Sequence, residues 1–274
     1  LTQLMLDPVA GNMIRTMFVN KGRADSLAAR PSGVEKVRFE RIAVIGAGTM
    51  GAGIAFSAAR AGIEVILVDR DQASADKGKA YAEKRLKRDL EKGRTTEAKM
   101  AAILARIHPT DSYEGLSGVQ LAIESVFEDR EVKREAIGRI SATLPADVLL
   151  ASNTSGLPIT SLAAYSDRPA RFIGLHFFSP AERMPLVEII RGVETDDTAW
   201  AQALDFVGAL RKTPITVNDG SGFFTSRFIG SFVTASLDMA EGGVKPALIE
   251  NGGRLGGMPM GAPTPPPSTV RITP

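Results

Sequence analysis

The sequence contains no cysteine and only two histidines, His108 and His176, among its 274 residues. The absence of cysteine excludes disulfide bonds, thiolate-ligated zinc or iron-sulfur sites, and a thiol nucleophile. Any imidazole chemistry has to use one of the two histidines. Because 44% of the residues are hydrophobic and 23% are charged, the composition is that of an ordinary globular protein rather than a disordered chain.

Long apolar runs and an excess of one charge are also missing. No run reaches the roughly 18 residues that a membrane-spanning helix needs. The formal net charge is +2, which gives no reason to expect a nucleic-acid-binding surface. The chain starts at Leu1 without a basic segment followed by an apolar one, so we predict no secretion signal and interpret the chain as a piece of a longer protein.

Short apolar runs alternate with helical patterns from Arg41 onward. Continuous apolar runs of this length are typical of strands buried on both faces of a parallel sheet. The predicted strands are 42–45, 64–68, 121–123, 148–151, 172–175 and 186–190. The predicted helices are 12–21, 51–61, 73–92, 97–107, 130–144, 198–210 and 223–241. This alternation predicts an α/β fold with a doubly wound parallel sheet.

The first predicted strand runs directly into Gly46-Ala-Gly-Thr-Met-Gly51 and then into a helix. In such a G-x-G-x-x-G turn, Gly46 makes the tight turn, Gly48 lets a pyrophosphate approach the backbone, and Gly51 lets the helix pack on the strand. The N-terminus of the helix supplies free N–H groups to the phosphates. The sequence therefore predicts a Rossmann-type dinucleotide site.

Asp69 ends the next predicted strand, where a carboxylate accepts hydrogen bonds from the adenosine ribose. Its negative charge would repel the 2′-phosphate of NADP, so NAD is the predicted cofactor. Arg70 leaves two interpretations open, since it is either a solvated surface residue or a guanidinium that accommodates that phosphate.

His176 ends a predicted strand, and Glu188 lies within the next, otherwise apolar one. Burying a carboxylate is costly unless it is paired, and an imidazole on an adjacent strand is a natural partner. Such a pair would fix the tautomer of His176 and let it take a proton from a substrate hydroxyl. The alternative is a salt bridge from Glu188 to Arg183 or Arg191, while His108, before a proline at the end of a helical segment, is expected to be structural.

Two further features have a functional and a structural interpretation. The polar turn Ser152-Asn-Thr-Ser155 either binds a substrate oxygen and the nicotinamide or caps the helix that follows. Lys84, Arg88 and Lys92 lie on one helix face, as a site for the phosphates of CoA or as a solvated surface.

Five motifs closely resemble those of the L-3-hydroxyacyl-CoA dehydrogenases, over residues 41–261. They are Gly46-Ala-Gly-Thr-Met-Gly-Ala-Gly-Ile-Ala55, Ser152-Asn-Thr-Ser155, Gly174-Leu-His-Phe-Phe-Ser-Pro180, Leu186-Val-Glu-Ile-Ile190 and Gly222-Phe-Phe-Thr-Ser-Arg227. Residues 12–21 and 27–31 resemble the linker after the enoyl-CoA hydratase half of multifunctional fatty-acid β-oxidation proteins. The resemblance implies the dehydrogenase part of such a protein.

The resemblance also implies residue roles. His176 is the general base, Glu188 orients it, and Ser155 contacts the substrate 3-oxygen and the nicotinamide. The NAD-contacting positions are Gly46, Gly48, Met50, Gly51, Asp69, Val126, Phe127, Glu128, Lys133, Ser155 and Ser179, and no metal is needed. The reaction implied is NAD-dependent oxidation of an L-3-hydroxyacyl-CoA to a 3-oxoacyl-CoA.

The sequence departs from the family's pattern near its end. Ser226 stands where many members have an asparagine that bonds the substrate oxygen, and the match ends at Gly261 before a proline-rich stretch. The predicted organisation is a linker helix and loop over 1–38, an NAD-binding Rossmann domain over 39–218, and a partial helical C-terminal domain with a Gly/Pro-rich tail over 219–274.

Two functional alternatives remain at this stage. One is an NAD-binding fragment without turnover, and the other is a short-chain 3-hydroxybutyryl-CoA dehydrogenase or a β-hydroxyacid dehydrogenase outside CoA metabolism. The expected partners are the acyl-CoA substrate and, in the full-length protein, a second copy or a thiolase subunit. The expected compartment is the cytoplasm, with an organellar matrix left open.

Overall fold

Eight strands form one sheet in the structure, a computed structural model that describes residues 7–258 and residue 261. They are β1 (Arg41–Ile45), β2 (Glu64–Val68), β3 (Ile107–Thr110), β4 (Leu121–Glu124), β5 (Leu149–Ser152), β6 (Phe172–Phe177), β7 (Leu186–Arg191) and β8 (Thr213–Asn218). Their order is β3-β2-β1-β4-β5-β6-β7-β8, and β6 and β7 pair antiparallel while all other neighbours are parallel. The first six strands follow the doubly wound order, which confirms the predicted fold class.

Helices connect the strands of the sheet and continue after it. They are α1 (Pro8–Ile14), a π-helical segment (Arg15–Asn20), α2 (Lys21–Asp25), α3 (Thr49–Arg60), α4 (Gln72–Glu91), α5 (Glu97–Ala105), α6 (Arg130–Thr143), α7 (Ile159–Ala163), α8 (Asp197–Ala209), α9 (Thr225–Glu241) and α10 (Pro246–Leu255). Asp71, Thr96, Asp129 and Asp196 cap the N-termini of α4, α5, α6 and α8 with side-chain oxygens. These caps explain why the helices begin within a residue or two of the predicted positions.

The six predicted strands are confirmed because their apolar runs lie in the core of the sheet. Every residue of β4 and β5 is buried, and so are the last four residues of β1 and of β2. Two strands were not predicted, β3 and β8, and each of them lies at an edge of the sheet. The prediction that a helix continues to residue 107 was wrong, because α5 ends at Ala105 and the chain then enters β3.

His108 lies in the edge strand β3 rather than at the end of a helix, which corrects its predicted place. Its Nε2 is 2.5 Å from Glu64 Oε2, and both side chains are about half exposed. This surface pair is consistent with a structural role for His108.

The segment between α2 and β1 packs on α8. Arg30 Nε and Nη2 donate to the two carboxylate oxygens of Asp205, at 2.7 and 2.9 Å, and Val37 N donates to the same carboxylate at 3.0 Å. The Asp205 side chain is 1% exposed. Because a buried carboxylate needs such partners, these hydrogen bonds hold the segment against α8.

The chain divides into two units, the first ending at Gly220 and the second starting at Ser221. In the second unit, Phe232 of α9 packs on Ala240 and on Ile249 of α10. The predicted helix 223–241 is confirmed, but α10 was not predicted, and it continues through Gly252 and Gly253 to Leu255. The predicted proline-rich tail, 263–267, lies outside the described residues. Among the residues that the structure describes, no helix has the length and apolarity to cross a membrane.

Candidate active site

The turn between β1 and α3 needs glycine at two of its positions. Gly46 has φ +101°, and a Cβ there would lie 2.5 Å from the carbonyl oxygen of Ser125. A Cβ on Gly51 would lie 1.7 Å from the carbonyl oxygen of Gly46. Both contacts are with backbone, so side-chain rearrangement cannot relieve them. The turn can therefore close as it does only with these two glycines.

Gly48 differs from its neighbours, since a Cβ there would meet no atom within 4 Å. It is the N-cap residue of α3, and no side chain in the described part of the chain caps this helix end. The first-turn N–H groups and the positive end of the helix dipole thus remain available to an anion. These residues fit the pyrophosphate of a dinucleotide.

Asp69 directly follows β2 and faces the glycine turn. Its Oδ2 accepts a 2.6 Å hydrogen bond from Ala47 N, and its Oδ1 accepts one of 2.8 Å from Arg70 N. The Arg70 side chain is 85% exposed and bonds Asp71 at 3.2 Å. This favours the interpretation of Arg70 as a surface residue. Met50, in the first turn of α3, is half-buried and packs against the core.

A buried ion pair lies at the carboxyl end of β4. Lys133 Nζ contacts Glu124 Oε1 at 2.8 Å and Glu128 Oε2 at 3.2 Å, and the Lys133 and Glu124 side chains are each 1% exposed. Glu124 also accepts hydrogen bonds from Val126 N and from Ser152 Oγ, at 2.8 and 2.6 Å. Glu124 thus ties the turn after β4 to the end of β5.

Sequence reasoning missed Glu124, although the signal was present. It is an acidic residue at the end of the apolar run Leu121–Glu124, the same signal that identified Glu188. The structure brings Val126, Glu128 and Lys133 together around it, while Phe127 is 78% exposed.

The loop that carries Ser155 is held by Glu128. The carboxylate oxygen Oε1 accepts from Thr154 Oγ1, from Ser155 N at 3.1 Å and from Gly156 N at 3.2 Å. The helix that follows is capped from elsewhere, because Asp219 accepts from the backbone N–H groups of Ile159 and Thr160 at 2.8 Å. The polar turn is therefore not the cap of α7, and the Ser155 residue is exposed.

The acid stability of this loop should depend on Glu128. Burial raises the pKa of its carboxyl, but the bonds from Thr154 and Lys133 outweigh burial, so the pKa lies below the ordinary value of 4.5. A carboxyl whose pKa is lowered by folding adds stability above its unfolded pKa, and that contribution is lost as the pH falls through the folded value. We expect Glu128→Gln to flatten the fall of the melting temperature below pH 4.5.

Glu131→Gln is the control for this measurement, because Glu131 is 71% exposed and pairs only with Arg134 among the ion pairs of the described residues. The control should follow the parent protein. If Glu128→Gln also follows the parent down to about pH 3, the bonds to Glu128 do not hold the loop.

His176 and Glu188 are directly opposite each other on the antiparallel strands β6 and β7. His176 Nδ1 lies 2.7 Å from Glu188 Oε2, with side-chain exposures of 7% and 0%. Arg191, one of the alternative partners, instead bonds Asp197 at 2.9 Å. Because Nδ1 faces the carboxylate, Nε2 is the ring nitrogen at which this arrangement can accept a proton from a substrate.

Asn153 fixes the end of the strand that carries His176. Its Oδ1 accepts a 2.9 Å hydrogen bond from Phe177 N, and its Nδ2 donates to Ser125 Oγ at 3.2 Å. The His176 ring also packs against Phe178, with 4.6 Å between ring centroids. Asn153 belongs to the polar turn Ser152-Asn-Thr-Ser155, but the sequence alone did not predict that its side chain bonds the end of β6.

The remaining predicted site residues are all exposed. Ser179 is exposed in the connection after β6, and Ser226 is exposed in α9 of the second unit. The cationic residues Lys84 and Arg88 of α4, and Lys92 directly after it, are all exposed.

Comparison with known proteins gives one family and several similar structures. A family model for the NAD-binding domain of 3-hydroxyacyl-CoA dehydrogenases matches residues 41–220. The structure is similar to an (S)-3-hydroxybutyryl-CoA dehydrogenase from Ralstonia eutropha, with 38% identity, TM-score 0.78, and coverage of 82% of this chain and 80% of that chain. It is similar to FadB2 of M. tuberculosis, with 35% identity, the same coverage and TM-score 0.78.

A third similar structure is the dehydrogenase part of multifunctional enzyme 1 from C. elegans, with 27% identity and TM-score 0.66. The match covers 89% of this chain and 59% of that one.

Proposed function

This chain belongs to the 3-hydroxyacyl-CoA dehydrogenases, and from this premise we propose that it oxidises an L-3-hydroxyacyl-CoA to the 3-oxoacyl-CoA in fatty-acid β-oxidation. The family resemblance of the sequence motifs is thereby confirmed, and NAD is the cofactor. The observation that supports the proposal most directly is the 2.7 Å contact between His176 and Glu188 at the end of β6.

In the proposed mechanism, His176 Nε2 takes the proton of the substrate 3-hydroxyl. Glu188 holds the imidazole in the tautomer that leaves Nε2 ready for that proton and stabilises the protonated ring. The glycine turn Gly46–Gly51 would hold NAD, and the cofactor, when bound, would supply the acceptor for the hydride of substrate C3. Ser155 and Ser226 are proposed to donate hydrogen bonds to the substrate oxygen, and Ser155 also to the nicotinamide.

The proposed cofactor site joins the glycine turn to the ends of β2 and β4. Gly46, Gly48 and Gly51 shape the turn, and Asp69 receives the ribose hydroxyls. The other proposed contacts are Met50, Val126, Phe127, Glu128, Lys133 and Ser179. Since the Lys133 ammonium is buried between two carboxylates, its contribution is to hold the turn 126–128 in place.

The biological context is part of the proposal. The family-model match over residues 41–220 and the separation of two units after Gly220 support the proposed division into a linker over 1–38, an NAD-binding domain over 39–218 and a helical domain from 219 onward. We further propose that the full-length protein also contains a hydratase and assembles with a second copy or a thiolase subunit, as the sequence resemblance to multifunctional β-oxidation proteins implies.

The decisive assay combines a binding measurement with turnover. The protein is titrated with NADH, and the loss of NADH absorbance is then followed with acetoacetyl-CoA and, separately, with a long-chain 3-oxoacyl-CoA. We expect NADH binding and turnover of both, and the reverse reaction with NAD and the 3-hydroxyacyl-CoA.

Each other outcome has its own meaning. Turnover of acetoacetyl-CoA alone would replace β-oxidation with a short-chain function, in line with the 3-hydroxybutyryl-CoA dehydrogenase to which the chain is similar. Binding of NADH without turnover of either substrate would contradict the dehydrogenase proposal for this chain and leave an NAD-binding function.

A further inference from the structure

The chain segment that joins the strands of His176 and Glu188 runs from Phe178 to Pro185. We call it the dyad loop, after the pair formed by these two residues. Two- to five-residue hairpin turns fix the register of their strands through turn geometry. The dyad loop is longer than these turns. Its own geometry therefore does not determine which residue of β7 lies opposite His176.

The hydrophobic pattern of the two strands does not determine their register either. All residues of β6 are buried, and so are the four central residues of β7, so both faces of each strand are covered. In a strand with one solvent face, a one-residue slip exposes the apolar side chains and is strongly disfavoured. Because both faces of β7 are covered, a one-residue slip of this strand would cost far less free energy. The slip would nevertheless move the Glu188 side chain to the face of the sheet opposite to that of His176.

A buried lysine binds the dyad loop on the side of β8. Lys212, directly before β8, is 8% exposed, and its Nζ donates to the carbonyl oxygens of Ala181 and Met184 at 2.7 and 2.6 Å. Thr213 N donates to the carbonyl oxygen of Pro185 at 2.7 Å. Burial lowers the pKa of the Lys212 ammonium, which reflects the cost of keeping this charge in the interior. The proposed mechanism gives Lys212 no chemical role.

A buried glutamate binds the same loop on the side of α4. The Glu182 side chain is 2% exposed, and its Oε1 accepts from Tyr81 Oη at 3.0 Å and contacts Arg85 Nη2 at 2.9 Å. Its Oε2 is buried without a hydrogen-bond partner among the described residues. Gly53 of α3 lies against this part of the loop, since a Cβ there would come within 3.0 Å of the Ala181 Cβ.

We propose that Lys212 and Glu182 are positioning residues that set the register of β6 against β7 and so keep His176 in contact with Glu188. Both side chains are long, charged and buried, and they anchor adjacent parts of one loop to two different elements. A buried charge is tolerated only where its bonds compensate for lost hydration, so each anchor has a narrow range of allowed positions. The catalytic consequence rests on the function proposed above.

The test uses the small number of histidines in the chain. Protein labelled with ¹⁵N-histidine gives imidazole signals from two residues only, and a His108→Asn variant assigns them. The Nδ1 proton signal of His176 reports its hydrogen bond to Glu188 directly. We expect Lys212→Met to shift or broaden this signal and to lower kcat about 10- to 100-fold with the KM for NAD unchanged, because misplacement by an ångström costs that much.

Arg168→Met is the matched control. Arg168 is also a buried cation that donates to backbone carbonyls, those of Ser141 and Leu144, but at the end of α6. It should lower the melting temperature while leaving the His176 signal and kcat as in the parent. Lys212→Arg keeps a charged donor for the two carbonyls and should recover most of the activity.

Two results would overturn the proposal. One is a Lys212→Met protein that loses stability like Arg168→Met while the His176 signal stays in place. The other result concerns Tyr81→Phe, which removes a single bond to Glu182 and serves if Lys212→Met does not fold. An unchanged His176 signal in Tyr81→Phe would also reject positioning through the dyad loop. A shifted His176 signal, combined with a His176→Ala variant that still turns over, would instead reject the proposed function and keep the positioning role.

Discussion

Replacing His176 with alanine is expected to lower kcat by about 100- to 10,000-fold, the usual contribution of a general base. The Kd for NAD should not change, because His176 lies at the end of β6 while the glycine turn lies between β1 and α3. Steady-state turnover with acetoacetyl-CoA and NADH, together with an NADH titration, measures both quantities. A lower kcat with an unchanged Kd for NAD is the result expected of a residue that transfers a proton and does not bind the cofactor.

His108→Ala provides the control within the same chain. His108 is exposed and bonded to Glu64 on the edge strand β3, so its removal should leave kcat unchanged. If His176→Ala retains activity close to the parent protein, His176 does not act as the base, and the proposed mechanism fails even if NAD still binds.

A Gly51→Ala substitution is expected to abolish NAD binding and to destabilise the protein by about 3 kcal/mol, the upper end of the usual cost of overpacking. The added Cβ would lie 1.7 Å from the Gly46 carbonyl oxygen, so α3 must move away from the turn. Thermal unfolding and an NADH titration on the same preparation give the two values.

Two other glycines serve as controls, because a Cβ at either position meets no atom within 4 Å. Gly48→Ala should keep the melting temperature and weaken only NAD binding, since its Cβ occupies the space proposed for the pyrophosphate. Gly138→Ala, inside α6, should raise stability by about 0.5–1 kcal/mol without an effect on NAD. If Gly51→Ala has the melting temperature and the NAD affinity of the parent protein, the close approach of α3 to the glycine turn is not required for folding or for NAD binding.

The sequence predicted the inner strands because they are buried on both faces, and it missed the two at the edges. In β3, Ile107–Thr110, only Ile107 is buried, and Pro109 is tolerated because an edge strand has one side without a partner. In β8, Thr213–Asn218, buried and exposed positions are mixed. Short, partly polar strands of this kind give no apolar run, and their pairing is decided by neighbours that are distant in sequence.

Only part of the site is encoded in local sequence patterns. The glycine turn and the contact between His176 and Glu188 follow from local patterns, a G-x-G-x-x-G and a carboxylate in an apolar strand. The anchors of the dyad loop do not, because Lys212 and Glu182 resemble surface residues until the tertiary structure buries their side chains. Whether a charged side chain is buried depends on packing between segments that are distant in sequence. A local sequence pattern therefore does not predict it.

The antiparallel pairing of β6 with β7 has a consequence for how this site is inherited. A parallel neighbour would require a crossover of a dozen or more residues, usually with a helix, between the two strands. Because β7 turns straight back, the proposed base and its carboxylate partner lie in one hairpin, residues 172–191. The pair can therefore be recombined, duplicated or grafted onto a related sheet as a single genetic segment, provided that the recipient also supplies a lysine equivalent to Lys212 and partners for Glu182 equivalent to Tyr81 and Arg85.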